Sequence, residues 1–295
     1  MDIFLGLLTN ILEEGFIYGI MILGIYITYS VLDFPDLTVD GSFPLGSVTC
    51  AAMILLGVHP LLALLVSFLA GAAAGVVTGF LHVKLHISNL LSGILTMTAL
   101  WSVNLVINSG KAMVPYYDMP TVFNGTLANL LPKGYGVLII SFLLVVAVKL
   151  LLDAYLKTKS GLCLRATGAN PQFVIGLGKN PGRFKILGLA IGNGLTALAG
   201  AVLSQQSESA SINSGTGMVV MGLASVILGL TLLGRVRFVK GTTAVLVGCV
   251  LYRGVLSAAM LAGLPTNYLR LLMVVLFIAA LLLNNTFGKK GAKRA

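Results

Sequence analysis

Apolar residues fall along the chain in runs of membrane-crossing length, separated by short polar segments. The runs Phe16–Leu32, Phe43–Gly57, Leu61–Leu81, Leu90–Ile107, Gly136–Leu156, Phe184–Leu203, Met218–Leu233, Ala244–Leu261 and Leu269–Asn284 approach the roughly 20 residues that span a hydrocarbon core. Several are short or glycine-rich. The pattern therefore predicts an all-α, polytopic integral membrane protein of about eight to ten crossings, some of them broken helices. Small-residue stretches such as GAAAGVVTG, Gly71 to Gly79, suit helices in close contact better than the alternating pattern of a membrane β-barrel. No polar stretch is long enough for a soluble domain, so residues 1–295 read as a single transmembrane domain. The opening MDIFLGLLTNILEEG lacks the basic segment of a cleavable signal, and the first helix is expected to be retained.

Composition agrees: 57% of the residues are hydrophobic and only 9% charged, against roughly 25% charged in soluble domains. The formal charge of +10 points to the cytoplasmic bias of Lys and Arg in membrane proteins, and no nucleic-acid partner is expected. Basic residues gather at Lys157, Lys159, Arg165, Lys179, Arg183 and Lys185, again at Arg235, Arg237 and Lys240, and in the tail at Lys289, Lys290, Lys293 and Arg294. Two spans separate each cluster from the next, so all three fall on one side, read as cytoplasmic. By parity the C-terminus is cytoplasmic, the polar segment 108–135 with Pro115, Pro120, Asn124 and Pro132 is external, and so is the N-terminus.

The basic segment RATGANPQFVIGLGKNPGR, Arg165 to Arg183, spells Asn-Pro twice. Asn at an N-cap accepts a bond from a free backbone N–H, and Pro at the next position needs no donor, so Asn170-Pro171 and Asn180-Pro181 predict two successive helix starts. The first helix, Pro171 to about Gly178, is short and carries Phe173, Val174 and Leu177 as an apolar patch. It reads either as a capped connecting loop or as a docking helix for a partner on the cytoplasmic side.

Polar residues at membrane depth are costly and are functional candidates. Asp36, Thr38, Asp40 and Ser42, with Pro35, Gly41 and Pro44, interrupt two apolar runs. They either line a break inside the bilayer or cap helices at its cytoplasmic edge. Arg253, deep in LVGCVLYRGVLSAAM, either pairs with an acidic group, snorkels, or faces a solute path. Glu208, in SQQSESASINSGTG, belongs to an external gate or to a solvated loop. His59, His82 and His86 lack metal-like partners, and Cys50, Cys163 and Cys249 show no ligand spacing, so no metal site is expected. No GxSxG, HExxH or paired-carboxylate constellation indicates a catalytic residue.

The stretch RATGANPQFVIGLGKNPGRFKILGLAIGNGLTALAGAVLSQ resembles the coupling loop and following helix of permeases of ATP-binding-cassette importers, in the branched-chain amino acid and ribose superfamily. LDFPDLTVDGSFPLGSVTCAAMILLG, Leu32 to Gly57, is similar to their early broken-helix region, and SINSGTGMVVMGLASVILGLTLLG to their later glycine-rich segment. The run Asp-Leu-Thr-Val-Asp-Gly is shared with the tryptophan- and tyrosine-type members, whereas Leu230 departs from the acidic residue often found there. The resemblance implies a transport subunit, not an enzyme, in a bacterial plasma membrane. It would be paired with a second permease copy, identical or closely related, above two ATPase subunits that bind ATP and magnesium. An external substrate-binding protein or lipoprotein would deliver a small solute, an amino acid and in this subgroup an aromatic one. The chain lacks a GxxxxGK[ST] phosphate loop, so it carries no cofactor of its own in this reading. The segment 157–183 becomes the coupling region, with Arg165, Asn170, Pro171, Phe173, Val174, Leu177 and Asn180 as its contacts. Asp36, Thr38, Asp40, Ser42, Arg253 and Glu208 become candidates for the solute path. The competing reading is a stand-alone secondary transporter or channel, coupled to ions through Asp36, Asp40 and Glu208, which has no need for a docking helix.

Overall fold

A computed structural model of the chain describes residues 2–124, 135–234, 238–263, 265 and 268–292, and the side chains of all of these but 2–5, 270 and 283–292. Helix α1 (Asp2–Ile25) runs straight into a π-helical turn (Tyr26–Val31). It is followed by α2 (Val39–Leu55), α3 (Pro60–Lys84), α4 (Asn89–Ile107), α5 (Gly136–Tyr155), α6 (Lys159–Ala169), α7 (Pro171–Gly176), α8 (Pro181–Ser207), α9 (Met218–Leu233), α10 (Gly241–Leu261) and α11 (Leu269–Ala292). Two short strands, β1 (Met113–Pro115) and β2 (Ser209–Ser211), pair antiparallel, and a 3-10 turn (Ile212–Gly215) leads toward α9. Among the described residues seven helices are long and apolar enough to cross a membrane, with Val39–Leu55 and Leu271–Leu282 as shorter apolar helices. The protein is an all-α polytopic membrane protein.

Local chemistry explains many of the helix starts. Pro60 and Pro181 each sit at a first helical position, where the missing N–H costs nothing. The residue before each one caps the helix: His59 Nδ1 accepts from Leu61 N–H at 3.3 Å and Asn180 Oδ1 from Gly182 N–H at 2.8 Å. Thr158 and Ser88 cap α6 and α4 through their hydroxyls. The Asn-Pro expectation holds at both places, although the first helix ends at Gly176, with Leu177 as its C-cap and Gly178 at φ 68°.

The centre of the bundle is α8, flanked by α1, α2 and α3. Gly71, Gly75 and Gly79 of α3 recur once per turn along one face, and added Cβ atoms there would run into Asn193, Leu189 and Ile186 of α8 in that order. The two helices are therefore antiparallel and touch through backbone, which apolar volume alone does not require but small residues allow. Gly46 of α2 lies against the backbone of Ala197, and Ser42 and Cys50 bond Asn193 and Gln205, so α2 and α8 run in the same direction. Gly24 against Gly192 and Leu32 against Gly188 place α1 antiparallel to both.

These directions put α6, α7, the end of α3 and the start of α10 at one end of the bundle, which carries Lys157, Lys159, Arg165, Lys179, Arg183, Lys185 and Lys240. The β1–β2 pair lies at the other. Arg235, Arg237, Pro132, Lys293 and Arg294 lie outside the described residues. α1 starts well before the apolar run at Phe16 because Glu13 and Glu14 continue its helix instead of ending it. The polar segment 108–135 contributes β1, and the first part of the coupling segment 157–183 forms α6.

The contact of α2 with α8 yields a stability test. Gly46→Val should destabilise the folded protein at the upper end of the roughly 1–3 kcal/mol typical of overpacking, because a Cβ there meets backbone that cannot turn away. Gly136→Ala, at a position with open space around it, should stay within about 0.5 kcal/mol of the parent. Thermal melting in detergent distinguishes the two, and equal melting would show that the contact between α2 and α8 carries no weight.

Candidate functional site

Between the π turn and α2 the chain passes from the basic end into the packed interior. Asp33 and Pro35 are exposed, whereas Asp36, Thr38 and Ser42 are buried. Asp36 Oδ1 accepts the Thr38 backbone N–H at 2.9 Å, and Oδ2 accepts Asn193 Nδ2–H at 2.6 Å. Ser42 donates to Asn193 Oδ1 at 2.7 Å, and Thr38 Oγ1 lies 2.8 Å from Thr78 Oγ1 of α3. A carboxylate in an apolar bundle is tolerated only with its oxygens occupied, and here both are. The break lies inside the packed bundle.

Asp40 lies one turn into the break. Its Oδ1 accepts Val219 N–H at 2.8 Å and its Oδ2 accepts Gly217 N–H at 3.2 Å, so it caps α9, where free N–H groups and the helix dipole favour an acid. Pro44, inside α2, cannot donate to the Asp40 carbonyl one turn earlier, and Gly215 of the 3-10 turn packs against that oxygen and the Pro44 ring. The starts of α2 and α9 thus meet. They meet at depth: Phe43 stacks on Tyr18, ring centroids 6.0 Å apart, and Tyr18 is midway along the span Gly6–Val31.

Beside this junction an open groove of about 280 Å³ is lined by Asp40, Met97, Trp101, Asn104, Asn213, Thr216 and their neighbours. Asn104 donates to the Gly41 carbonyl at 3.1 Å, while its buried Oδ1 has no hydrogen-bond partner. Trp101 is 52% exposed on the flank of α4. Asn104, Trp101 and Asn193 were missed by sequence reasoning. The available signal was a single amide inside each of the apolar runs LWSVNLVI and LAIGNGLTA.

The remaining candidates lie elsewhere. Arg253 forms an ion pair with Glu14 of α1, and its guanidinium carbon lies 4.6 Å from the Tyr18 ring centroid. Among its three readings the geometry holds the pairing, and Arg253 does not line the groove. Glu208, at φ 48° after α8, accepts from Asn124 Nδ2 at 3.2 Å, and its carbonyl accepts Tyr116 N–H at 2.9 Å. It belongs to the knot at the β1–β2 end instead of to a freely solvated loop. Gln205, one turn before, accepts Val122 N–H at 2.8 Å and donates to the Pro60 carbonyl at 3.1 Å.

At the opposite end Asn170 caps α7 through Gln172 and Phe173 N–H groups, and Asn180 caps α8. Phe173 is 59% and Leu177 55% exposed, as the apolar patch requires, but Val174 is fully buried. The expectation that Val174 faces outward is corrected: in so short a helix it points back into the protein, and Ile175, 53% exposed, takes its place on the surface. Arg165 is exposed on α6, beside Lys157 and Lys240. Among the described residues no cluster of three His, Cys, Asp or Glu side chains is placed to hold a metal ion.

Helix starts that meet inside a bundle beside an open groove are an arrangement that membrane transport proteins use for solute paths. The chain belongs to the family of branched-chain amino acid transport system permease components, a family of ATP-binding-cassette importer subunits, whose sequence profile matches residues 7–281. A tyrosine transport system permease protein of Clostridioides difficile (strain R20291) is 41% identical over 287 residues, covering 96% of this chain and 94% of its own length. An uncharacterized protein of Rickettsia prowazekii (strain Madrid E) is 35% identical over 282 residues, 93% of this chain and 97% of its own. The ribose import permease protein RbsC of Bacillus subtilis (strain 168) is 28% identical over 280 residues, 93% of this chain and 83% of its own.

Two outcomes test the buried network. Asp36→Asn and Asn193→Asp should each destabilise the protein by about 1–3 kcal/mol, since each leaves mismatched donors or acceptors buried. The double substitution restores one donor facing one acceptor, so it should melt well above the additive expectation. Strict additivity would mean that the two groups are not coupled. Arg253→Met strands Glu14 and should cost up to about 3–5 kcal/mol, most of it recovered in Glu14→Met/Arg253→Met, as chemical denaturation of both variants would read.

Proposed function

We propose that this chain forms one half of the translocation path of an ATP-binding-cassette importer, carrying a small solute, an amino acid. The observation that carries the reading is the groove at the α2–α9 junction. It holds a buried amide oxygen without a partner and the edge of a carboxylate, yet it opens on the flank of the subunit at membrane depth. Lipid gives such polar groups no hydrogen bonds. A second copy of the chain, identical or closely related, covers the flank and closes the path.

Separate ATPase subunits, which bind ATP and magnesium, dock at the basic end on Phe173, Ile175 and Leu177, an exposed apolar patch of the kind that marks contacts. That end and the C-terminus then face the cytoplasm of a bacterium, in keeping with its lysines and arginines. A binding protein or lipoprotein delivers solute at the β1–β2 end. The amino acid substrate, aromatic in this reading, follows the tyrosine transport relative, with the ribose relatives as the alternative. Solute discrimination rests with the binding protein, because a path that holds its solute tightly stalls. Asp36, Thr38 and Ser42 act here by fixing the break, Asp40 by fixing the junction beside the path, and Asn104 by an amide oxygen that is buried in this state and would meet a passing ammonium as the path opens.

In proteoliposomes containing the whole complex, Asn104→Leu should lower uptake about tenfold, the equivalent of one hydrogen bond to a charged solute. Asp40→Asn should lower it too, with the affinity of the binding protein unchanged in both variants. Phe173→Asp should leave ATP hydrolysis running while uptake stops. Normal uptake by Asn104→Leu and Asp40→Asn at normal expression would move the path elsewhere, and active uptake by the chain without any ATPase would favour a stand-alone carrier.

A further inference from the structure

At the basic end a second cavity, of about 380 Å³, opens between the π turn, the end of α5, α6 and the start of α10. Tyr26, Asp153, Lys157, Arg165, Lys240 and Gly241 line it. Its single carboxylate is already engaged: Asp153 accepts from Lys240 Nζ at 2.9 Å and from Thr242 Oγ1 at 2.7 Å, with Lys149 Nζ at 3.4 Å. Lys157 and Arg165 have no ion-pair partner among the described residues, so the cavity carries an excess of positive charge with donors to spare. Gly241 keeps it open, since a Cβ there would meet the Tyr26 hydroxyl and ring.

We propose that this cavity binds the phosphodiester headgroup of an anionic phospholipid. The guanidinium of Arg165 offers two parallel N–H groups to phosphate oxygens, Lys157 adds a mobile charge, and the Tyr26 hydroxyl adds a neutral donor. Two observations favour a lipid over free phosphate. The cavity sits at the ends of membrane-spanning helices, where headgroups lie and where basic pockets between helices collect anionic lipids. The helices that flank it, α5 and α10, also carry exposed apolar side chains, Leu150 and Leu151 on the first and Val247 and Leu251 on the second, of the kind that meet acyl chains. The site is distinct from the groove at the α2–α9 junction, which no residue of this cavity lines.

The test places the complete complex in nanodiscs holding equal fractions of phosphatidylglycerol and phosphatidylcholine and counts retained lipids by native mass spectrometry. The parent protein should retain phosphatidylglycerol in preference. Lys157→Gln/Arg165→Gln should weaken that retention roughly twenty-five-fold, two charges at about fivefold each. The charge-conserving Lys157→Arg/Arg165→Lys should keep most of it, which separates lost charge from lost fold. Equal retention of both lipids by the parent, or undiminished retention by the glutamine variant, would overturn the proposal. Displacement of phosphatidylglycerol by millimolar inorganic phosphate would reassign the cavity to a soluble anion. Release of the ATPase by the glutamine variant with lipid preference intact would reassign it to a protein contact.

Discussion

A carboxylate buried inside an apolar bundle constrains everything around it, because each of its oxygens needs a donor that the protein itself must supply. Asp36 has that demand met by the Thr38 backbone and by Asn193, and Asn193 can serve only because α8 passes close to the break. The close approach depends in turn on small residues: Gly46 lets α2 lie on Ala197, and the Gly71, Gly75 and Gly79 face lets α3 close over the opposite side. Replace the glycines with larger residues and the amide moves away from the acid. Polar satisfaction and backbone packing are here one requirement.

The same economy explains how Asp40 connects two elements. Pro44 breaks the hydrogen-bond ladder in the first turns of α2, and the carboxylate of Asp40 points to the start of α9 instead of closing its own helix. A helix start inside a membrane leaves N–H groups without partners, and an acid from a neighbouring segment is an effective way to satisfy them. Two interrupted helices hold each other in place, and the groove with Asn104 lies beside their junction.

Much of the architecture was legible because it rests on local signals. Apolar runs mark spans by length, and Asn170-Pro171 and Asn180-Pro181 mark helix starts by cap chemistry that needs no tertiary context. The polar interruption at Asp36 to Ser42 stood out for the same reason. What escaped was whatever depends on a distant partner. Val174 and Ile175 are adjacent and equally apolar, and only packing against the rest of the protein decides which one is buried. Asn104 and Asn193 are lone amides in apolar surroundings, without a motif to flag them. Glu14 lies just before the apolar run that begins at Phe16, so its pairing with Arg253 could not be anticipated from either residue alone.

Gln205 has a mechanical consequence. One side chain fastens three separate pieces of the β1–β2 end: Val122 in the long connection, Cys50 on α2 and Pro60 at the head of α3. Its nitrogen serves Cys50 and Pro60 together while its oxygen serves Val122, so a swing of the amide disturbs more than one of these bonds. The positions of these three pieces are therefore coupled through a single amide, and a displacement of one is felt by the other two.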